Sequence, residues 1–196
     1  SKPAQIAERC KAIGVKSCAI TDSENISGTV QFYTSMKSAG IKPILGCEIN
    51  VKDESLDKTS GLVILAKNYA GWQNLIQVVS ESNTIENAKD KPQLSTESLK
   101  KILNGNLIAF CGSEGTLLAD IILSSKDTID KTGIEFISKM KDLFGKDNFF
   151  LESQLMDKEH SVHQIELTDH IRRLGKLTNT KVICSSNAHY ANREDS

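Results

Sequence analysis

Ala19-Ile20-Thr21-Asp22-Ser23-Glu24-Asn25-Ile26-Ser27-Gly28, followed by Gly40-Ile41-Lys42-Pro43-Ile44-Leu45-Gly46-Cys47-Glu48-Ile49, decides how the rest of the chain is read. Two apolar strands each deliver polar groups at their C-terminal ends, and a helix-like segment joins them. That arrangement suits a site on the top face of a parallel β/α barrel. A metal cluster there would need side chains that this stretch lacks.

The pattern continues outward on both sides. Residues 3–13 predict a helix, with Pro3 in its first turn, a stripe of Ile6, Ala7, Cys10 and Ile13, and Gly14 as its stop. Val15–Thr21 reads as a strand. The segment from Thr29 to Ala39 reads as a helix with Val30, Phe32, Tyr33 and Met36 inward and Gly40 ending it. Ile44–Val51 and Leu62–Ala66 read as strands. Tyr69–Asn83 is helical, with Trp72, Leu75, Ile76 and Val79 on one face. Thr84–Gln93 is polar, carries Pro92 and reads as a loop. Beyond it come a short helix over Thr96–Leu103 capped by Ser95 and a strand over Leu107–Cys111. A turn at residues 112–115 leads to helices over Leu117–Leu123 and Ile129–Phe144, the latter weakened at its start by Gly133. A strand over Asn148–Glu152, a helix over Val162–Thr178 and a strand over Val182–Ser185 complete the order. Strands that alternate with helices and lack period-two patterning predict a buried parallel sheet with helical crossovers. With no internal repeat or dividing linker, residues 1–196 read as one α/β domain.

Composition narrows the function classes. Of 196 residues, 39% are hydrophobic and 25% charged, as expected of a soluble protein with a substantial core. Twenty-four basic residues against 25 acidic give a net charge of −1. A domain that grips DNA by its phosphates carries a basic excess, so this segment is not expected to be the main nucleic-acid grip. Five widely spaced cysteines (Cys10, Cys18, Cys47, Cys111 and Cys184) without a Cys-x-x-Cys pair argue against a disulfide framework or zinc ribbon. They point to a reducing compartment, hence a cytoplasmic location, and no apolar run predicts a membrane span. The chain opens on Ser1 and closes in the polar run Arg193-Glu194-Asp195-Ser196, which reads as a fragment of something longer.

Candidate chemistry gathers at the predicted strand ends: Asp22, Glu48, Ser113 and His189, with Asn187 and Glu152 nearby. Carboxylates and imidazoles at one barrel end can hold divalent metals that activate water and neutralise phosphate. Each has a plainer alternative. Asp22 and Asn187 suit loop positions that satisfy backbone donors, Glu48 suits a paired half-buried carboxylate, and His189 a hydrogen-bonded loop histidine. His160, His163 and His170 read as a solvated helical surface. No His-x-His pair, phosphate loop, nucleophile elbow or dinucleotide fingerprint occurs.

These residues resemble the N-terminal PHP (polymerase and histidinol phosphatase) domain of bacterial replicative DNA polymerase III alpha subunits. In that family the first of these strands ends in Thr-Asp-His-Gly-Asn and the next reads Pro-Ile-Ile-Gly-Cys-Glu. Thr21-Asp22-Ser23-Glu24-Asn25 and Pro43-Ile44-Leu45-Gly46-Cys47-Glu48 are similar to them. The likeness runs on through Leu62–Asn68, Lys91-Pro92-Gln93, Asn106–Gly112, Asn148–Glu152 and Cys184–Tyr190, in order, across nearly the whole chain.

The resemblance implies a distorted seven-stranded β/α barrel with up to three metals at the strand ends. It places the family's first strand, with its His-x-His motif, upstream of Ser1. It also implies a degenerate metal site. Ser23 stands where the family has histidine, Ser113 where it has cysteine or histidine, and Asn187 where it has aspartate. Glu48 and His189 keep ligand chemistry, with Asp22 and Glu152 on the rim. Serine and neutral asparagine are poor ligands for zinc, manganese or iron, so at most a residual divalent ion is expected. The implied parent is a DNA-directed DNA polymerase, a magnesium-dependent nucleotidyltransferase. Within it this domain would be inactive, bracing the polymerase core of the same chain and meeting a proofreading exonuclease, with DNA reached through the parent. The competing expectation is an active metal-dependent phosphoesterase or 3′–5′ exonuclease of the PHP family.

Overall fold

A computed structural model describes residues 1–53, 58–84, 86–88, 91–124, 128–154, 162–186, 188 and 190–191. Their backbone forms one mixed sheet in the strand order β1 (Ser17–Ile20), β2 (Lys42–Asp53), β3 (Lys58–Ala66), β5 (Leu107–Cys111), β6 (Phe149–Gln154), β7 (Val182–Ser185). A two-residue strand, β4 (Leu94–Ser95), pairs with the far end of β2. The sheet curls into a half barrel carrying helices between its strands, in keeping with the barrel expected from the resemblance.

Parallel pairing holds for β1 with β2, β5 with β6 and β6 with β7. It fails for β3, which runs antiparallel to both β2 and β5. The cause is chain length. Asp53 of β2 faces Lys58 of β3 and only residues 54–57 join them, whereas a parallel return needs a crossover of about a dozen residues or more. Both strands extend past their apolar stretches into Lys52, Asp53, Lys58, Thr59 and Ser60, which is why periodicity placed their ends too far apart. Asp53 is tolerated there, almost fully buried, because Lys139 Nζ reaches its carboxylate at 3.0 Å.

Helix ends follow local chemistry. In α1 (Pro3–Ala12) the Gln5 side chain accepts from the Lys2 amide at 2.9 Å. In α3 (Tyr69–Ser82) the Asn68 side chain accepts from the Gly71 amide, and in α4 (Thr96–Ile102) Ser95 accepts from the Ser98 amide, as predicted for that cap. Gly14 and Gly40 close α1 and α2 (Thr29–Ser38) with positive φ. In α6 (Ile129–Phe144) the buried residues Gly133, Phe136, Ile137, Met140 and Phe144 form one stripe. Gly133 is a close-approach point rather than a weakness. A Cβ there would lie 2.8 Å from Leu174 Cδ1 of α7 (Val162–Leu177).

The main core lies between the sheet and α3–α7, with α5 spanning Leu117–Ser124. A smaller cluster of Ala7, Cys10, Phe32, Met36 and Ile41 packs α1 and α2 together beside β1 and β2. Here the expected faces need correction. Phe32 and Met36 are buried, but Val30 and Tyr33 point to solvent at 73% and 45% exposure, and Ile13 and Ile76 are exposed too. Helix α2 meets the sheet along a narrower stripe than its apolar content suggested. His163 is exposed and His170 half-exposed, in line with a solvated face; His160 lies outside the described residues. All five cysteines are free thiols. Among the described residues no helix is long and apolar enough to cross a membrane.

Candidate functional site

The ends of β1, β5, β6 and β7 converge with the middle of β2. Past β1, Ser23 forms a parallel bridge with Glu48. The Glu48 amide donates to the Asp22 carbonyl (3.1 Å) and the Glu24 amide to the Glu48 carbonyl (2.8 Å). The β1 pairing is thereby carried onto the residue predicted as a ligand. Glu24 is forced to a left-handed φ of +63°. This is the position at which the resembled motif has glycine, so the side chain is borne at a backbone angle that glycine adopts freely. Its carboxylate accepts from the Asn50 amide, which also donates to the Pro92 carbonyl at 3.0 Å.

Glu48 lies over Gly61 of β3, where an added Cβ would sit 3.1 Å from Glu48 Oε1. Glycine leaves that room. Glu152, at 4% exposure, is the most enclosed acid of the group. One carboxylate oxygen accepts from Ser113 Oγ at 2.7 Å and the other from Ser185 Oγ. Ser113 is itself held in the turn after β5, where its carbonyl accepts from the Thr116 amide and hydroxyl, and the Thr116 hydroxyl accepts from the Gly112 amide. The buried carboxylate and hydroxyls of this group, Glu152, Ser113 and Thr116, are thus paired, as a low-dielectric site requires.

Burial raises the Glu48 pKa above its ordinary 4.5, and the nearby charges of Glu152 and then Glu24 push it the same way. Burial likewise raises Cys47 to about 12, and it pushes Cys111 upward as well. These thiols stay protonated and behave as small apolar groups.

A pH prediction follows. Because the folded state holds the Glu48 proton more tightly than the unfolded chain, ionising it costs stability as pH climbs through the raised value. Glu48→Gln removes that cost. Its melting temperature is expected to exceed the parent's at neutral pH, and the gap should close below the ordinary carboxyl value of 4.5. Thermal melts of both proteins across that range check it; a gap independent of pH would refute a Glu48 carboxyl raised by burial and by its acidic neighbours.

Of the predicted residues, Glu48, Glu152 and Ser113 come together. Ser23 is adjacent in backbone but exposed. Asp22 does not join the carboxylates: its Oδ2 lies 3.1 Å from where a Cβ on Gly28 would sit, beside the N-terminus of α2, where negative charge is favourable. Asn187 and His189 lie outside the described residues. Sequence reasoning missed Ser185, Glu24 and Asn50 as members of the group. The departure from glycine at position 24 was the available signal; the roles of Ser185 and Asn50 emerge only when their strands pair.

Both Glu152 oxygens are taken by serine hydroxyls, and among the described residues no group of three or more His, Cys, Asp or Glu side chains could hold an ion. What this arrangement does well is tie β5, β6 and β7 together through one buried carboxylate.

A curled α/β sheet with carboxylates and hydroxyls gathered at its strand ends defines a half-barrel domain. Two solved structures share the fold at a TM-score of 0.59. They are a proposed metal-dependent phosphoesterase from Bifidobacterium adolescentis (12% identity, 97% of this chain and 83% of that one) and an amidohydrolase from Chromobacterium violaceum (13%, 99% and 84%). The PHP domain model matches residues 1–155, and the chain belongs to that family. It is homologous to the N-terminal domain of DNA polymerase III alpha subunits. The relative from Borreliella burgdorferi is 32% identical over all of this chain and 17% of its own length. That from Thermus aquaticus is 31% identical over 90% of this chain and 15% of its own. The chain thus spans about a sixth of the length of the curated relatives it matches.

Proposed function

We propose that residues 1–196 are one PHP domain of a replicative DNA polymerase III alpha-like chain, serving that polymerase as a scaffold rather than as a hydrolase. The observation that carries this is the pairing of both Glu152 oxygens with Ser113 and Ser185. A carboxylate on β6 satisfied by hydroxyls from the turn after β5 and from β7 braces the sheet and offers little to a cation. Ser23 and Asn187, standing where the family has histidine and aspartate, support the same reading. Glu48 and His189 are the residual ligand positions, fit at most for a weakly held zinc, manganese or iron ion.

In this role the domain braces the polymerase core of its own chain and presents a surface to a proofreading exonuclease. DNA contact and magnesium-dependent synthesis belong to the parent polymerase, in the cytoplasm. The near-neutral charge of this segment suits bracing better than gripping phosphates. The competing activity, metal-dependent phosphoester hydrolysis or 3′–5′ exonuclease action, would need the upstream His-x-His strand to complete a set around Glu48 and His189.

Metal analysis of the purified full-length protein decides between them. Substoichiometric zinc, manganese and iron are expected. The double variant Ser23→His with Asn187→Asp should tighten manganese or zinc by roughly tenfold or more, the scale that even outer-shell partners command. Stoichiometric metal in the parent, with hydrolysis lost in His189→Ala, would overturn the scaffold reading.

A further inference from the structure

The two side chains of α2 that defied the expected inward face open a second question. Val30 and Tyr33 form one wall of a groove of about 680 Å³, which continues over Ile44 at the start of β2 and Tyr69 and Trp72 of α3. Neither Glu48 nor Glu152 lines it. Val30 and Tyr69 are 73% and 74% exposed, so the groove leaves a contiguous apolar surface in water.

Its charge has one sign. Lys42 and Lys67 border it, and Lys37 sits 5.9 Å over the Tyr33 ring, while none of the described residues lining it carries a carboxylate. In a chain of nearly balanced charge this segregation favours an occupant that is apolar and acidic. Thr29 lines the groove as well, and its buried hydroxyl has no hydrogen-bond partner among the described residues.

From this we infer that the groove seats an apolar, carboxylate-bearing segment of the same polypeptide, drawn from sequence beyond residue 196. The inference rests on the polymerase reading above. The alpha-subunit relatives devote about five-sixths of their length to sequence outside this domain, so a covalently attached occupant is at hand. Tethering gives such a segment a high effective concentration, and even a modest groove would stay filled. Aromatic side chains with a polar edge, such as Tyr33, Tyr69 and Trp72, are the anchors such contacts favour.

Photo-crosslinking in the full-length protein tests it. Benzoylphenylalanine is placed at Tyr69 and separately at Val30, with exposed Lys131 of α6 as control. The expected product has monomer mass, and mass spectrometry locates the link in an apolar, acid-bearing peptide beyond residue 196. Lys42→Glu should cut its yield by about fivefold through reversed rim charge, with an unchanged circular dichroism melt. A product of dimer mass, a link to a separate protein, or a yield no higher than the Lys131 control would overturn the assignment. If the gene encodes no polymerase region after residue 196, the parent reading fails instead, and sequencing decides that before any irradiation.

Discussion

Gly112→Ala is expected to destabilise the fold by about 3–5 kcal/mol, combining backbone strain with overpacking. A Cβ at this position would lie 2.3 Å from the Glu152 carbonyl oxygen, 2.9 Å from Ile171 Cδ1 and 3.1 Å from the Glu152 amide nitrogen. Two of those neighbours are β6 backbone, which cannot move without breaking its parallel pairing to β5 and β7. The residue also holds φ at +146°, outside the comfortable range of a side chain. Because Gly112 separates β5 from Ser113, the damage falls on the turn that presents a hydroxyl to Glu152. Gly105→Ala is the control: φ is +79° there too, but nothing lies within 4 Å, so a loss of about 1 kcal/mol is expected. Urea unfolding of the two variants beside the parent measures both. Equal losses would mean that the close approach to β6 contributes nothing.

Glu152→Ala is expected to cost about 2–4 kcal/mol, since it strips the acceptor from two hydroxyls at once. Ser113 is buried and cannot turn to water; Ser185 is half-buried and recovers part of its loss. Glu152→Gln should cost under about 1 kcal/mol, because an amide can accept from one serine and donate to the other. Both changes also relieve the push on Glu48, which tempers the alanine loss at neutral pH. The measurement is repeated with a chelator. If the carboxylate acts as a brace, parent and variants keep the same spacing in stability with or without it. A parent that drops to the level of Glu152→Ala when metal is withdrawn would show that an ion, and not the serines, holds these strands.

The elements themselves were largely legible. Glycines and a side-chain cap marked helix ends, with Gly14, Gly40 and Ser95 acting through short-range geometry, while the Asn68 cap of α3 emerged only in the structure. Element types held because each amphipathic or apolar run was long enough to show its period. Pairing direction was less accessible. The antiparallel hairpin of β2 and β3 stayed hidden because polar residues at the strand ends, from Lys52 to Ser60, gave no apolar signal. The outward turn of Val30 and Tyr33 was hidden for the converse reason: apolar side chains were read as buried although both are exposed.

At the site, the expectation that Ser23, Ser113 and Asn187 replace metal ligands came from setting these positions beside the resembled family's motif. Family membership and alternating strand-and-helix order were likewise carried by the chain's own letters and spacing. Folding alone could reveal that Ser185 meets Glu152, that Asp22 turns to the start of α2, and that Glu24 and Asn50 join hands across β2. The first and last of those contacts link residues tens of positions apart. They depend on strand register and close backbone approach, which arise from long-range packing and leave no local pattern to read.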